Sequence, residues 1–223
     1  MYTASARVKR VPCGVQAFSY RTIQQPTQGL YKEKGSKFLA FAYPVSSEAA
    51  IKEHLDALRK EYFDARHHCY AWMLGPDKQR FRAADDGEPN HSAGDPILGQ
   101  IRSRDLTDVL VVVVRYFGGI KLGVGGLISA YKLAAEDALQ QAIVDMREVR
   151  KAITLRYDYG ATPEVMRVVK EFDVAIAAQE YTDGCVLRGT VALQTQPALV
   201  EKIGLLRALG VSVALLEPGA PSA

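Results

Sequence analysis

Three polar clusters lie close together in the chain and carry residue types that can do chemistry. The first is Arg66-His67-His68-Cys69. Adjacent residues on a strand point to opposite faces, so His67 and His68 are poorly placed to share one metal ion, and no further ligands follow at zinc spacing. One histidine satisfied in the core and one facing a site is the expected arrangement. The second cluster is Asp85-Asp86-Gly87-Glu88-Pro89. Three carboxylates so close together repel one another, which suits either an open solvated turn or a working site. A Mg²⁺ or general-base role needs a second group, and His67 or His68 would supply it. The third cluster is Arg115-Tyr116-Phe117-Gly118-Gly119, followed by Lys121, Gly123, Gly125 and Gly126. Glycine-rich backbone at the start of a helix presents free N–H groups to an anion, and Arg115 and Lys121 add positive charge. Tight packing of that helix on a strand would also demand glycines. The spacing is not that of a P-loop, because Lys121 precedes the last glycines. It is not a dinucleotide fingerprint either, because Ile128 stands where the third glycine belongs.

The elements around these clusters follow from hydrophobic period and turn chemistry. Two strands are expected over Thr22–Tyr31 and Ser36–Val45, and a helix from about Ser47 with Ile51, Leu55, Leu58 and Tyr62 as its apolar stripe. Cys69–Leu74 and Arg80–Ala84 read as strands around Gly75-Pro76-Asp77, and Asp85–Pro96 as loop. Val109–Phe117 reads as a strand buried on both faces. The helix after the glycines is expected from about Leu127 to Ile143, with Ala130, Ala134, Ala135 and Ala138 as a small-residue face for close packing. From about Glu148 the pattern restarts as β-α-β-β-α-β. Its helices open at Pro163 and Pro197, a hairpin turns at Thr182-Asp183-Gly184, and the order is that of a ferredoxin-like domain. The expected domains are 1–147 and 148–223, with the core of the first at about 20–145 and residues 1–20 loosely attached.

Composition bounds the class. Of 223 residues 48% are hydrophobic and 24% charged, which suits a globular α+β chain. The longest apolar run, Val109 to Val114, is far short of the ~20 residues a membrane helix needs. Cys13, Cys69 and Cys185 form no CxxC pair, so a reduced, cytoplasmic location fits best. Residues 1–37 hold seven Lys or Arg against Glu33, a basic leader able to touch phosphates or to remain a solvated, frayed terminus.

Taken together, the clusters resemble the IMPACT/YigZ family of translation-associated proteins. The matching segments are Lys34-Gly35-Ser36-Lys37-Phe38, Ala65-Arg66-His67-His68-Cys69-Tyr70-Ala71, Asp85-Asp86-Gly87-Glu88-Pro89, Ala93-Gly94-x-Pro96-Ile97-Leu98 and Val111–Gly126. The resemblance implies an N-terminal domain with the left-handed βαβ fold of a small-subunit ribosomal protein. It also implies a C-terminal ferredoxin-like domain similar to the last domain of elongation factor G. Relatives in eukaryotes are implicated in restraining a translation-control kinase through an additional N-terminal module, for which this chain is expected to be too short. One departure is His91, which stands where bacterial relatives have glycine.

Two functions follow as expectations. The first is a non-enzymatic RNA- or ribosome-associated protein that regulates translation. It would hold phosphate or nucleotide through Lys37, Arg66, Arg115, Lys121 and the backbone of Gly118, Gly119, Gly123, Gly125 and Gly126. His67 or His68 would add hydrogen bonds, and Asp85, Asp86 and Glu88 would border the site. A translation factor or kinase-type protein is a further expected partner, with no membrane and no cofactor. The second is a hydrolase or transferase acting on a phosphorylated or nucleotide substrate. It would use Asp86 or Glu88 as base or Mg²⁺ ligand, His67 or His68 as acid, and Lys121 with Arg115 as an electrophilic clamp.

Overall fold

A computed structural model describes residues 18–216, and the basic leader with Arg7, Lys9, Arg10 and Cys13 lies outside the described residues. The chain divides into two compact units, Ser19–Val149 and a second that runs from Arg150. The first contains, in order, β1 (Ser19–Ile23), β2 (Thr27–Glu33), β3 (Ser36–Pro44), α1 (Glu48–Glu61), β4 (His67–Leu74), β5 (Arg80–Ala84), α2 (Gly94–Ser103), β6 (Val109–Tyr116), α3 (Gly123–Gln140) and β7 (Val144–Glu148).

β6 is the centre of an antiparallel sheet of order β2-β3-β6-β4-β5. Its β-branched run is buried from Val109 to Val114 because helices cover both sides. β3 and β4 are each antiparallel to β6, so they are parallel to one another, and α1 makes the crossover between them. Ser47 caps α1 by accepting the Ala50 N–H at 3.2 Å, and Ile51, Leu55 and Leu58 pack on Tyr70, Trp72 and Val112. Each of those three aliphatic side chains contributes about 1.5–3 kcal/mol by its burial.

The opposite face carries Phe38, Ala40, Cys69, Ala71, Val111 and Val113 under α2 and α3. α3 presents Ala130, Ala134, Ala135 and Ala138 inward, and its close approach is measurable at β2. A Cβ on Gly29 would stand 2.4 Å from the Ala138 nitrogen. Thr27 Oγ1 donates to the Ala138 carbonyl at 2.8 Å, and Asp137 accepts the Leu30 N–H at 2.8 Å.

Three local expectations change. Thr22–Tyr31 is not one strand: it breaks before Pro26 into β1 and β2, and β1 pairs with β7 in a separate two-stranded ribbon. β7 itself is unexpected from sequence, since Val144-Asp145-Met146-Arg147-Glu148 is largely exposed and has no buried face to generate a period. α2 begins where loop was expected, after Ala93; its signal is Pro96 in the first turn with Ile97, Leu98 and Ile101 buried. α3 also starts earlier, at Gly123, and ends at Gln140.

The second unit contains β8 (Arg150–Tyr157), α4 (Thr162–Glu171), β9 (Ala175–Tyr181), β10 (Cys185–Ala192), α5 (Gln196–Ala208) and β11 (Val213–Leu216). Its sheet order, β11-β8-β10-β9, is antiparallel at every pairing, and the β-α-β-β-α-β order is ferredoxin-like. Leu155, Leu187 and Val191 meet Val165 and Val168 of α4 and Leu199 and Ile203 of α5 in one core. Both helices carry proline in the first turn. Among the described residues no helix is long and apolar enough to cross a membrane.

Candidate functional site

The face of the first sheet under α3 is apolar until its last row. Phe38, Arg115 and His67 lie side by side there, since Phe38 pairs with Arg115 and Arg115 with His67 in the strand register. Cross-strand partners share a face. The row beneath, Ala40–Val113–Cys69, is wholly apolar apart from the thiol. The change from core to site therefore takes place within one pair of residues along each strand.

Arg115 is buried, its side chain 7% exposed, and Glu88, at 4%, lies against it with Nη1 to Oε1 at 2.5 Å. Tyr131 of α3 donates to the same carboxylate oxygen at 2.8 Å. Phe38 and Phe117 place their rings 5.4 and 5.6 Å from the guanidinium carbon, and Arg115 Nε has no hydrogen-bond partner among the described residues. The Cys69 thiol donates to the Asp85 carbonyl at 2.9 Å and stands 3.3 Å from the Tyr131 hydroxyl. Burial pushes both the Cys69 and the Tyr131 pKa well above their ordinary values, so neither is a ready nucleophile.

The acidic cluster divides its charges among three neighbours. Asp85 Oδ1 accepts the N–H groups of Ala93 and Gly94, and Oδ2 that of His91, so this carboxylate caps the start of α2. Burial alone would raise the Asp85 pKa, but the donors from Gly94, His91 and Ala93 outweigh it and hold the carboxyl below the usual range. Asp86 Oδ2 accepts the backbone N–H of His68 at 2.7 Å, and Oδ1 lies 3.7 Å from Arg59. Glu88 neutralises Arg115. The carboxylates thus neither face open water together nor converge. Among the described residues no group of three His, Cys, Asp or Glu is placed to hold a metal ion.

The two histidines part as their strand positions require. His67 is half-buried beside Arg115, and its Nδ1 is 2.9 Å from the Asp86 carbonyl. His68 is buried on the α1 face with Nε2 unpartnered among the described residues, and burial, against Asp86 and the backbone of Tyr62 and Leu58 and with help from Arg59, holds its pKa below the ordinary value. Of the pair, the site-facing member is His67, and Nε2 of the buried one has no hydrogen-bond partner among the described residues.

A cleft of about 820 Å³ opens over the Phe38–Arg115–His67 row, between the segment leading into β4 and the start of α3. Arg66 and Lys121 line it, are exposed, and make no ion pair with a described residue. The first turn of α3 has no capping side chain and no acidic residue, so its N–H groups and the positive end of its dipole face this region. Asp64 also borders the cleft, where it accepts the Tyr116 hydroxyl at 2.7 Å and pushes the Tyr116 pKa up to about 12. Phe117 is 56% exposed at the rim.

Several expected site residues take other roles. Arg115 is not a free clamp, because Glu88 has already neutralised it. Lys37 shares the strand parity of Leu39 and Phe41, so it belongs to the α1 side of the sheet and not to the cleft. Gly118 is glycine for packing: an added Cβ would stand 1.9 Å from the Gly35 carbonyl carbon, and its N–H donates to Ser36 Oγ. Gly119 and Gly123 adopt φ of +88° and +71°, whereas an added Cβ at Gly125 would meet nothing within 4 Å. Gly126 sits against Leu122. His91 takes φ +63° with its side chain 83% exposed, which explains a glycine preference there without any close contact. The residues that sequence reasoning missed are Tyr131 and Asp64. Tyr131 is a single large polar aromatic on an otherwise alanine-lined face, and that contrast is the signal that would have found it.

The cleft and its supporting network fall inside the segment shared with known proteins. Residues 34–139 match the Impact N-terminal domain. The chain is 34% identical over 157 residues to the IMPACT family member YigZ of Escherichia coli, covering 70% of this chain and 77% of that one. It is 32% identical over 165 residues to YvyE of Bacillus subtilis, covering 74% and 76%. A crystal structure titled as that of a hypothetical protein matches with a TM-score of 0.73 at 30% identity, over 92% of this chain and 100% of that one. The match extends over both units, and the chain belongs to the IMPACT family.

Proposed function

We propose that this chain is an RNA-binding, ribosome-associated protein acting on translation, and that it holds a phosphate in the cleft at the start of α3. The observation that carries this reading is the charge distribution in the cleft. Among the described residues Arg66 and Lys121 have no ion-pair partner and stand beside an uncapped helix N-terminus, while Glu88 is already neutralised and Asp64 accepts from Tyr116. Such a site has a surplus of donors and positive potential, which suits a phosphate oxygen. The buried Arg115, with Nε unpartnered, adds a fixed charge to the floor. Phe117 at the rim offers a ring on which a base can stack, as single-stranded RNA readers require. The role in translation comes from family membership.

The enzymatic alternative is less favoured, because Glu88 is buried against Arg115 and Asp86 is turned to the His68 N–H, 3.7 Å from Arg59. The test is co-sedimentation with ribosomes and titration with single-stranded RNA across a salt series. Wild type should show steep salt dependence. The Arg66→Ala/Lys121→Ala double variant should bind more weakly, with a slope of log affinity against log salt shallower by roughly 1.4, or 0.7 per lost phosphate contact. Salt-independent binding, or equal binding by the variant, would overturn the reading.

A further inference from the structure

The hydrogen bond from His67 to the backbone has a consequence for what the cleft can distinguish. A carbonyl oxygen only accepts, so the 2.9 Å contact from His67 Nδ1 to the Asp86 carbonyl requires the proton to be on Nδ1. In the neutral ring Nε2 then carries a lone pair. The Nδ1 edge is held against the acidic loop, where a Cβ on Gly87 would come within 3.3 Å of it. The opposite edge has no partner among the described residues and belongs to a residue that lines the cleft.

The cations and helix N–H groups at this place, Arg66, Lys121 and the first turn of α3, are all donors. Glu88 and Asp64 are also acceptors; Glu88 is buried against Arg115 and Tyr131, and Asp64 takes the Tyr116 hydroxyl on Oδ1. Both also carry negative charge, which repels a phosphate. With the proton on Nδ1, Nε2 of the neutral His67 ring is an acceptor without negative charge, so it can sit beside a bound phosphate without opposing it.

We propose that His67 makes the cleft selective for ribonucleotides, its Nε2 accepting a hydrogen bond from a ribose 2′-hydroxyl next to the phosphate held by Arg66 and Lys121. This rests on the phosphate-binding reading above and adds the group that is read. The 2′-hydroxyl is the donor that separates RNA from DNA, whereas base amino groups occur in both.

The experiment is fluorescence anisotropy with three single-stranded oligonucleotides of one sequence: RNA, DNA with deoxyuridine for thymidine, and 2′-O-methyl RNA. Wild type and His67→Ala are titrated with each at low and moderate salt. Wild type should prefer RNA over both other strands by roughly three- to tenfold, the scale of one neutral hydrogen bond. His67→Ala should bring RNA down to the level of DNA while the salt dependence persists. Salt-sensitive binding of wild type without RNA preference overturns this inference and leaves the phosphate site intact. A preference shared by 2′-O-methyl RNA overturns it too, because that strand lacks the hydroxyl donor, as does a preference that survives in His67→Ala. No binding of any strand overturns the phosphate site itself. The 2′-O-methyl comparison is made on wild type, so it holds whatever the variant's stability.

Discussion

The two faces of the five-stranded sheet end in rows that differ in one respect. On the α3 face the last row is Phe38–Arg115–His67, and on the α1 face the corresponding row is Leu39–Val114–His68. The α3 face closes its polar row with partners brought from elsewhere, Glu88 from the loop and Tyr131 from the helix. The α1 face closes over His68 without giving Nε2 a partner. Two neighbouring residues of one type thereby become a cleft-lining ring and a buried one whose Nε2 has no partner among the described residues. The pleat separates them, and what each face can bring to its last row decides their fates. The acidic loop serves both, since Glu88 answers one face and Asp86 the other, while Asp85 anchors the loop to α2.

The sharpest way to break this contrast is Glu88→Ala. It leaves the Arg115 charge buried without its counter-ion, and the expected loss is about 3–5 kcal/mol in urea unfolding. A loss below about 1 kcal/mol would mean that water or Tyr131 compensates and that the network is not closed.

Asp85→Asn tests the loop's anchor on α2, with an expected cost of about 2 kcal/mol at neutral pH. The sign with pH follows from the lowered pKa. Asp85 stabilises the fold above its unfolded value of about 3.9, and this is lost as pH falls through the folded value. The gap between wild type and variant should therefore close in acid. A constant gap would move the effect from charge to packing.

On the other face His68→Leu should stabilise, by about 1 kcal/mol, because an unpartnered buried nitrogen gives way to an apolar side chain. The lowered pKa means that the unfolded chain binds the proton first, so wild type loses stability as pH falls below about 6.5. Unfolding of His68→Leu should lack that slope between pH 7 and 5. Destabilisation by this substitution would show that the ring is satisfied after all.

The smallest effect belongs to His91→Gly at the far end of the loop. Relief of the left-handed backbone costs the unfolded chain entropy and removes an exposed pair with Asp95, so the expected gain is at most about 0.5 kcal/mol. Thermal melting resolves it, and a clear loss would show that the Asp95 pair orders the start of α2.

Much was legible in the residues. The six-residue run at Val109–Val114 could only be a doubly covered strand, the Ile51–Leu55–Leu58 stripe a helix on its surface, and the restart after Glu148 a split βαβ unit. Arg66, His67 and Lys121, from two of the polar clusters, line one cleft at the start of α3. Missing were α2, whose Gly94-Asp95-Pro96 opening reads as turn, and the β1–β7 ribbon, whose partners are more than a hundred residues apart. Neither carries a period long enough to be read locally.

Residue type and spacing by themselves determined which groups could meet an anion and which strands and helices would carry them, because period and turn chemistry are local. Only the tertiary structure decided which charges remain free. Arg115 is spent on Glu88, 27 positions away, and Lys37 falls on the far side of the sheet, while Arg66 and Lys121 meet no carboxylate among the described residues. Whether a charge is available depends on what the opposing element places within hydrogen-bond reach, and no local pattern encodes that distance.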